Sequence, residues 1–370
     1  MTNTSKKRSR IIKKIKRKIK LLLSFCKLYF LSFIHNKKCN VLIDASNLVL
    51  GRRMAQITIQ LKNSGYYPCI KIHLKDYVCR ELASELHSDI ALATAHVFTV
   101  RNVRDPFIFS ISHIGKKNHY EKSLIINNSI DEFKYHLNDR FFFPILMHPK
   151  YMLLDSFEDE KQLITNCEKK IGILFIGNTA DFYNNNLDTF HNRFGLYSRI
   201  ETLNFFMNKF PEYVERPDSE DELLDMIKNG TLKRKIVIID KFTVDRNYMY
   251  LYSISLFHLW TVGVWQPYCH NQIESMSCGA IPLFQDFPYY PGLINGINCI
   301  SYSDFTGLCN EVNKILEGNI PQNELLLMSS RINELYNTHY SKKAIKLAFD
   351  SFVEDSNIIQ EDYYICPKEN

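Results

Sequence analysis

Residues 269–285, Cys-His-Asn-Gln-Ile-Glu-Ser-Met-Ser-Cys-Gly-Ala-Ile-Pro-Leu-Phe-Gln, decide how this chain is read. Their spacing predicts a short helix opened by the polar residues Cys269, His270 and Asn271 and broken at Gly279. A buried strand over Ala280 to Phe284 follows at once. The first amides of such a helix have no intrahelical partner and are free to hold an anion. Glu274 sits inside the helix, five positions before Gly279, which predicts its carboxylate near the mouth of the strand-helix crevice. A carboxylate there accepts two hydrogen bonds from a vicinal diol, as a ribose presents. Phosphate at a helix start beside an acid on ribose is the pattern of a nucleotide-sugar site.

The run Glu274-Ser-Met-Ser-Cys-Gly-Ala-Ile-Pro-Leu resembles the donor-site motif of glycosyltransferases with the two-domain GT-B fold, above all the group-1 and exostosin-like members. Tyr252-Ser-Ile-Ser-Leu-Phe-His-Leu-Trp-Thr-Val-Gly263 resembles the strand and glycine turn that precede this motif. Ile171-Gly-Ile-Leu-Phe-Ile-Gly-Asn178 resembles the first strand and glycine turn of the same domain. The resemblance spans residues 140–320. It implies an α/β chain of two Rossmann-like domains facing each other across a cleft, with the donor in the second. In one place the chain departs from the pattern. Many retaining members carry a second acid eight positions before the ribose acid, and Gln266 stands there. Retention and inversion both stay open.

The length of 370 residues suits two domains. A hydrophobic share of 45% excludes wholesale disorder. Ten cysteines without a Cys-x-x-Cys pair indicate neither a zinc ribbon nor a disulfide framework, and point to reduced thiols. Cys269, His270 and Cys278 match no zinc spacing. The net charge of +6 hides a split, since residues 1–40 hold 13 bases and no acid. The other 330 residues carry 33 bases against 40 acids, so the body is mildly acidic and no nucleic acid is expected as partner.

Lys6 to Lys20 carries ten bases interleaved with Ile11, Ile12, Ile15 and Ile19, a helical stripe. Leu21 to Ile34 is apolar but too short to span a bilayer of ~30 Å. It also lacks the small-x-small cleavage site of a secretory signal. The expected partner is an anionic membrane surface, with Leu21 to Ile34 dipping into the interface. A solvated basic arm and an RNA-binding tail are the alternatives.

This reading divides the chain into a basic amphipathic segment (1–38), an acceptor domain (39–148), a nucleotide-sugar domain (149–340) and a C-terminal helix and tail (341–370) that packs back on the first domain. In the first half, strands are expected over 40–44, 68–73, 96–100, 106–112 and 123–127, with helices over 51–64 and 76–87. The two prolines of Phe141-Phe-Phe-Pro-Ile-Leu-Met-His-Pro149 mark the crossing between halves. Strands over 171–176, 235–239 and 253–259 and helices over 194–209, 219–229 and 245–252 repeat the alternation, and helices near 304–316, 323–335 and 341–353 end it.

Candidate donor-binding residues are Glu274, His270, Asn271, Gly279, Gly177, Asn178, Arg199 and Lys241. Gly177 lets backbone approach a diphosphate. The charge left on a departing nucleoside diphosphate needs cations, and among Arg193, Arg199, Lys241 and Arg246 the choice falls on Arg199 and Lys241. Asp218-Ser-Glu-Asp-Glu reads as a helix start rather than a metal site, so neither metal nor other cofactor is expected. Candidate catalytic groups are Asp44 and His113, with Arg52 a further loop candidate. Trp260 and Trp265 read as core. The function expected is glycosyl transfer from a nucleotide-sugar donor to a lipid-linked or surface-polysaccharide acceptor, including lipopolysaccharide. The place expected for it is the cytoplasmic face of the inner membrane. The alternative is a non-catalytic, membrane-peripheral nucleotide-binding or scaffold protein.

Overall fold

The computed structural model describes residues 3–34, 39–44, 52–71, 74, 77, 97–99, 107–113, 122–127, 140–143, 146–153, 167–179, 195–244, 247–263, 268–287, 290 and 292–365. The helix expected over 76–87, apart from Tyr77, lies outside them, as do Arg193, Arg246, Trp265 and Gln266. Of Arg52 and His113 only the backbone is described. The chain forms two compact units, residues 1–127 with 345–365, and residues 128–344 with 366–370. The change of unit falls before the two prolines, because residues around His148 bond within the second unit.

In the first unit, helix α1 (Asn3–Ile34) precedes β1 (Val41–Asp44), α2 (Arg52–Asn63), β2 (Pro68–Lys71), β3 (Val97–Thr99), β4 (Phe109–His113) and β5 (Ser123–Asn127). β1 pairs with β2 and β4, β2 with β3 and β4 with β5, all in parallel. Val41, Leu42 and Ile43 are buried, as strands covered on both faces require. From Met54 to Leu61 every residue of α2 is buried, polar Gln56, Thr58 and Gln60 included.

β6 (Phe142–Phe143) is the last strand in the order of the first sheet, and α3 (Pro149–Met152) follows it in the second unit. The second unit continues through β7 (Ile171–Ile176), α4 (Arg199–Lys209), β8 (Val214–Glu215), α5 (Glu220–Lys228), β9 (Ile236–Ile239), α6 (Tyr248–Ser253) and β10 (Ser255–Trp260). α7 (His270–Ser277), β11 (Ile281–Gln285), β12 (Ile300–Tyr302), α8 (Phe305–Glu317) and α9 (Gln322–His339) complete it. The sheet order is β12-β11-β10-β7-β9-β8, all parallel. β7 is buried along its whole length. α4 starts five residues later than expected, because Ser198 caps it in a reciprocal bond with Glu201.

α10 (Lys342–Glu354) carries the chain back to the first unit, where β13 (Gln360–Ile365) adds to β5 in parallel. Phe349 stacks on Phe109 at 5.9 Å between centroids, and Phe352 meets it edge-on at 5.5 Å. Lys122 donates to the carbonyls of Phe352, Val353 and Asp355, closing the carboxyl end of α10. No strand signal marks β13 in the residues, because its polar start, Gln-Glu-Asp, hides it.

Candidate functional site

β7 and β10 lie side by side at the centre of the second sheet, with β9 and β8 on one flank and β11 and β12 on the other. The sheet's winding reverses between them, and open α/β sheets take ligands outside the carboxyl ends of strands at such a point. Arg199 occupies it. This first residue of α4 is only 6% exposed. Its guanidinium donates to Thr261 Oγ1 at 3.0 Å, to the Asn178 carbonyl at 2.7 Å and to the Val262 carbonyl at 3.3 Å. It also reaches Cys269 Sγ at 3.6 Å. One side chain thus ties the loop after β7, the loop after β10 and the residue before α7. A Cβ on Gly177 would lie 2.9 Å from Phe175 Cζ and 3.3 Å from Arg199 Nη1, so glycine lets the backbone pass this close with neither side chain displaced.

α7 directs its amino end at the same place. Asn271 Nδ2 donates to the Ile176 carbonyl at the end of β7, at 3.2 Å. Gln272 Oε1 accepts the Cys269 N–H at 3.1 Å. The other end of α7 is closed by α9, where Asn333 donates to the Ser277 carbonyl and Ser329 to the Gly279 carbonyl. Gly279 has φ +68° and ends the helix there. It is a stop signal, at the far end of the helix from the site.

Glu274 also differs from expectation. Its side chain is fully buried. One oxygen accepts the His148 N–H at 2.9 Å, and both lie 3.0 Å from His270 Nδ1. Burial pushes its carboxyl up, but the charge and hydrogen bond of His270 and the His148 N–H outweigh this and hold it below the usual range. So enclosed, the carboxylate is engaged by His148 and His270 and presents no exposed oxygen to a ribose diol. Sequence could not show this, because the His148 donor lies 126 positions away.

His270 is what the acid holds. Its side chain remains 29% exposed. A carboxylate only accepts, so Nδ1 carries the proton toward Glu274, and Nε2 has no hydrogen bond among the described residues. The His148 ring stands 5.2 Å from it, centroid to centroid. Behind them Tyr252 donates to the Tyr248 oxygen at 3.1 Å. Burial, then the Glu274 charge, raises both phenols and keeps them protonated.

A second network went unnoticed in the sequence. Asp240, directly after β9, takes a two-pronged bond from Arg216 at 2.7 and 2.6 Å and one from Thr179 Oγ1 at 2.8 Å. Burial raises its carboxyl, and the Arg216 and Thr179 bonds bring it below the usual range. An acid immediately following four apolar strand residues was the available signal. Lys241 is engaged at the surface by Asp218 and by the Arg216 carbonyl. Asn178 is exposed and offers its carbonyl to Arg199. Trp260 is core, donating to Ser275 Oγ at 3.2 Å.

In the first unit Asp44 ends β1 and pairs at 3.5 Å with Lys71, its register partner at the end of β2. His113 ends the neighbouring β4, so both candidates stand on the carboxyl edge of that sheet. Among the described residues no three His, Cys, Asp or Glu side chains are placed to hold a metal ion.

No family model matches the chain, and no curated protein matches its sequence. Among solved structures it is similar to a glycosyltransferase from Rickettsia africae, with 12% identity over 87% of this chain and 99% of that one and a TM-score of 0.46. HepE from Anabaena, in complex with UDP-glucose, is 9% identical over 84% of this chain and 98% of its own, at TM-score 0.42. Sucrose-phosphate synthase from Thermosynechococcus elongatus is 14% identical over 84% and 72%, at TM-score 0.35. All three likenesses are low in both identity and TM-score.

Proposed function

We propose that the protein is a glycosyltransferase that moves a sugar from a nucleoside diphosphate donor to a lipid-linked or surface-polysaccharide acceptor. The observation that carries this reading is Arg199, held between the carboxyl ends of β7 and β10 and beside the start of α7. The helix amino end is the part of this arrangement that meets a diphosphate, and the buried guanidinium, tied to the strand ends, lends its positive charge to the crevice from behind as charge builds on the leaving group. With Nδ1 of His270 donating to Glu274, the ring can donate to a phosphate oxygen at that helix start only when Nε2 carries a proton as well. Glu274 is a positioning residue in this scheme. Asp44 and His113 remain the candidates for activating the acceptor. The basic amino-terminal segment supports an acceptor met at the cytoplasmic membrane face.

One observation favours a second reading, a nucleotide-binding protein without transfer activity. The carboxylates nearest the crevice, Glu274 and Asp240, are both engaged by the protein itself. A thermal-shift panel of nucleoside diphosphates tests the site, and one base class is expected to raise Tm. Arg199→Lys, which keeps the charge and loses the fork, and His270→Ala should each remove most of that shift. An unchanged shift in both variants would place the donor elsewhere. Sugar release or transfer from the donor that binds then separates enzyme from binder.

A further inference from the structure

α1 has two apolar faces, and only one of them is used. Leu21 and Phe25 are 5% and 7% exposed. Phe25 meets the Tyr77 ring at 5.5 Å and Ser24 shares a hydrogen bond with the Tyr77 hydroxyl at 2.9 Å, so this face fastens the helix to the first unit. Part of the apolar segment 21–34 is therefore protein core, not membrane anchor. On the opposite side Ile12, Ile15, Ile19, Leu22, Leu23 and Phe30 are 44% to 66% exposed. At 3.6 residues per turn they fall within an arc of roughly 100° and run for about 27 Å along the helix. Exposed Lys16, Lys20 and Lys27 flank that stripe on one side and exposed Lys18 on the other.

We infer that this outer face is a docking surface for an anionic lipid bilayer, on which α1 lies parallel to the membrane plane. An apolar stripe with lysines at both edges, three on one side and Lys18 on the other, matches the layering of acyl chains beneath charged headgroups. The first 40 residues hold 13 bases and no acid, so a second copy of the helix is repelled and an anionic surface attracted. A nucleic acid satisfies the lysines and leaves the isoleucines and leucines in water. No helix among the described residues is long and apolar enough to cross a membrane, so α1 lies on the bilayer or not in it at all. Because Leu21 and Phe25 pin the inner face, docking also fixes how the first sheet stands on the lipid. This inference is independent of the donor crevice.

The test is flotation of the full-length protein with vesicles of phosphatidylcholine alone and of an equimolar mixture with phosphatidylglycerol. Binding to the anionic vesicles is expected to exceed binding to the neutral ones by about tenfold or more and to weaken with salt. Leu22→Glu with Ile15→Glu, both at exposed positions, should lower binding by at least about tenfold with Tm unchanged. Lys16→Glu with Lys20→Glu should do the same. Equal binding to both vesicle types, or binding indifferent to the stripe substitutions, overturns the inference. So does a concentration-dependent dimer that Leu22→Glu dissociates, or capture by single-stranded RNA that vesicles do not displace. The nucleoside diphosphate shift of the Leu22→Glu, Ile15→Glu variant should equal that of the unaltered protein, so failure here and failure of the donor site are told apart.

Discussion

The two sheets are built alike and finished differently at their carboxyl edges. In the second, buried or half-buried polar side chains knit the strand ends together, with Arg199 spanning β7 and β10, Asp240 spanning β9 and the turn after β7, and Asn271 tying α7 to β7. In the first, Asp44 at the end of β1 pairs with Lys71 at the end of β2, both partly exposed. There the tight polar contacts serve closure, as when Lys122 caps α10 and Tyr363 bonds Gln60. Ordered polar groups at strand ends cost conformational entropy and desolvation, so a sheet that carries many of them there is equipped to hold something charged.

The sharpest way to break that contrast is to remove one acid from each edge. Glu274→Ala leaves the His148 N–H and the His270 ring without their buried acceptor, and should cost about 3–5 kcal/mol in urea unfolding. It should also abolish the nucleoside diphosphate shift, because His270 loses the group that orients it. Asp44→Asn should cost under about 1 kcal/mol, as a partly exposed pair does. A stability loss of equal size in both variants would mean the edges are not different. If Asp44→Asn leaves transfer at full rate, Asp44 has no part in the chemistry.

A smaller effect tests the interior of the second sheet, where His258 on β10 is the exception to its paired surroundings. It is fully buried, and neither ring nitrogen has a hydrogen bond among the described residues. Burial, then the nearby Arg199 charge, pushes its pKa down to about 3. The unfolded chain therefore binds a proton that the native state refuses between about pH 6.5 and pH 3, so this contribution is full above that window and lost as pH falls through it. Between about pH 7.5 and pH 5 the loss through this group is roughly 2 kcal/mol. His258→Leu should remove that slope and, since no bond is lost, hold or raise stability at neutral pH. Denaturant midpoints of both proteins at the two pH values decide it. A slope unchanged by the substitution would mean that the ring is reached by water.

Much of the second unit was legible from its residues. Unbroken apolar runs such as Ile171–Ile176 and Ile236–Ile239 mark strands buried on both faces, and the polar opening at Cys269 with the stop at Gly279 marks α7. Arg199 was one of four bases singled out, and its burial between β7 and β10 shows only in the structure. What stayed hidden depends on long-range partners. Glu274 reads as a ligand acid until His148 arrives from another part of the chain, and Arg216 gives no sign that it will meet Asp240. β13 was hidden because pairing with β5 defines it, while its own start is polar. The two faces of α1 were half visible. Periodicity showed the isoleucine stripe, and only packing showed that Leu21 and Phe25 point the other way.

The smallest effect separates two glycines that the sequence put in one site. Gly279 has φ +68°, and a Cβ there would lie 2.8 Å from Ser329 Oγ, which bonds the Gly279 carbonyl. Gly279→Ala should cost about 1–2 kcal/mol through the left-handed backbone and the displaced serine. It should leave the nucleoside diphosphate shift intact, because the helix end it disturbs faces α9. Gly177→Ala acts in the opposite sense. Its Cβ would press on the Phe175 ring and on the Arg199 guanidinium, a side chain that yields by swinging. The expected cost is under about 1 kcal/mol, but a guanidinium moved by a few tenths of an ångström no longer bridges β7 and β10, so the diphosphate shift should fall by about half or more. Urea unfolding and thermal shift on the same two variants give four numbers. If stability and shift fall together in both, the carboxyl edge of the second sheet is one structural unit and not a site with its own geometry.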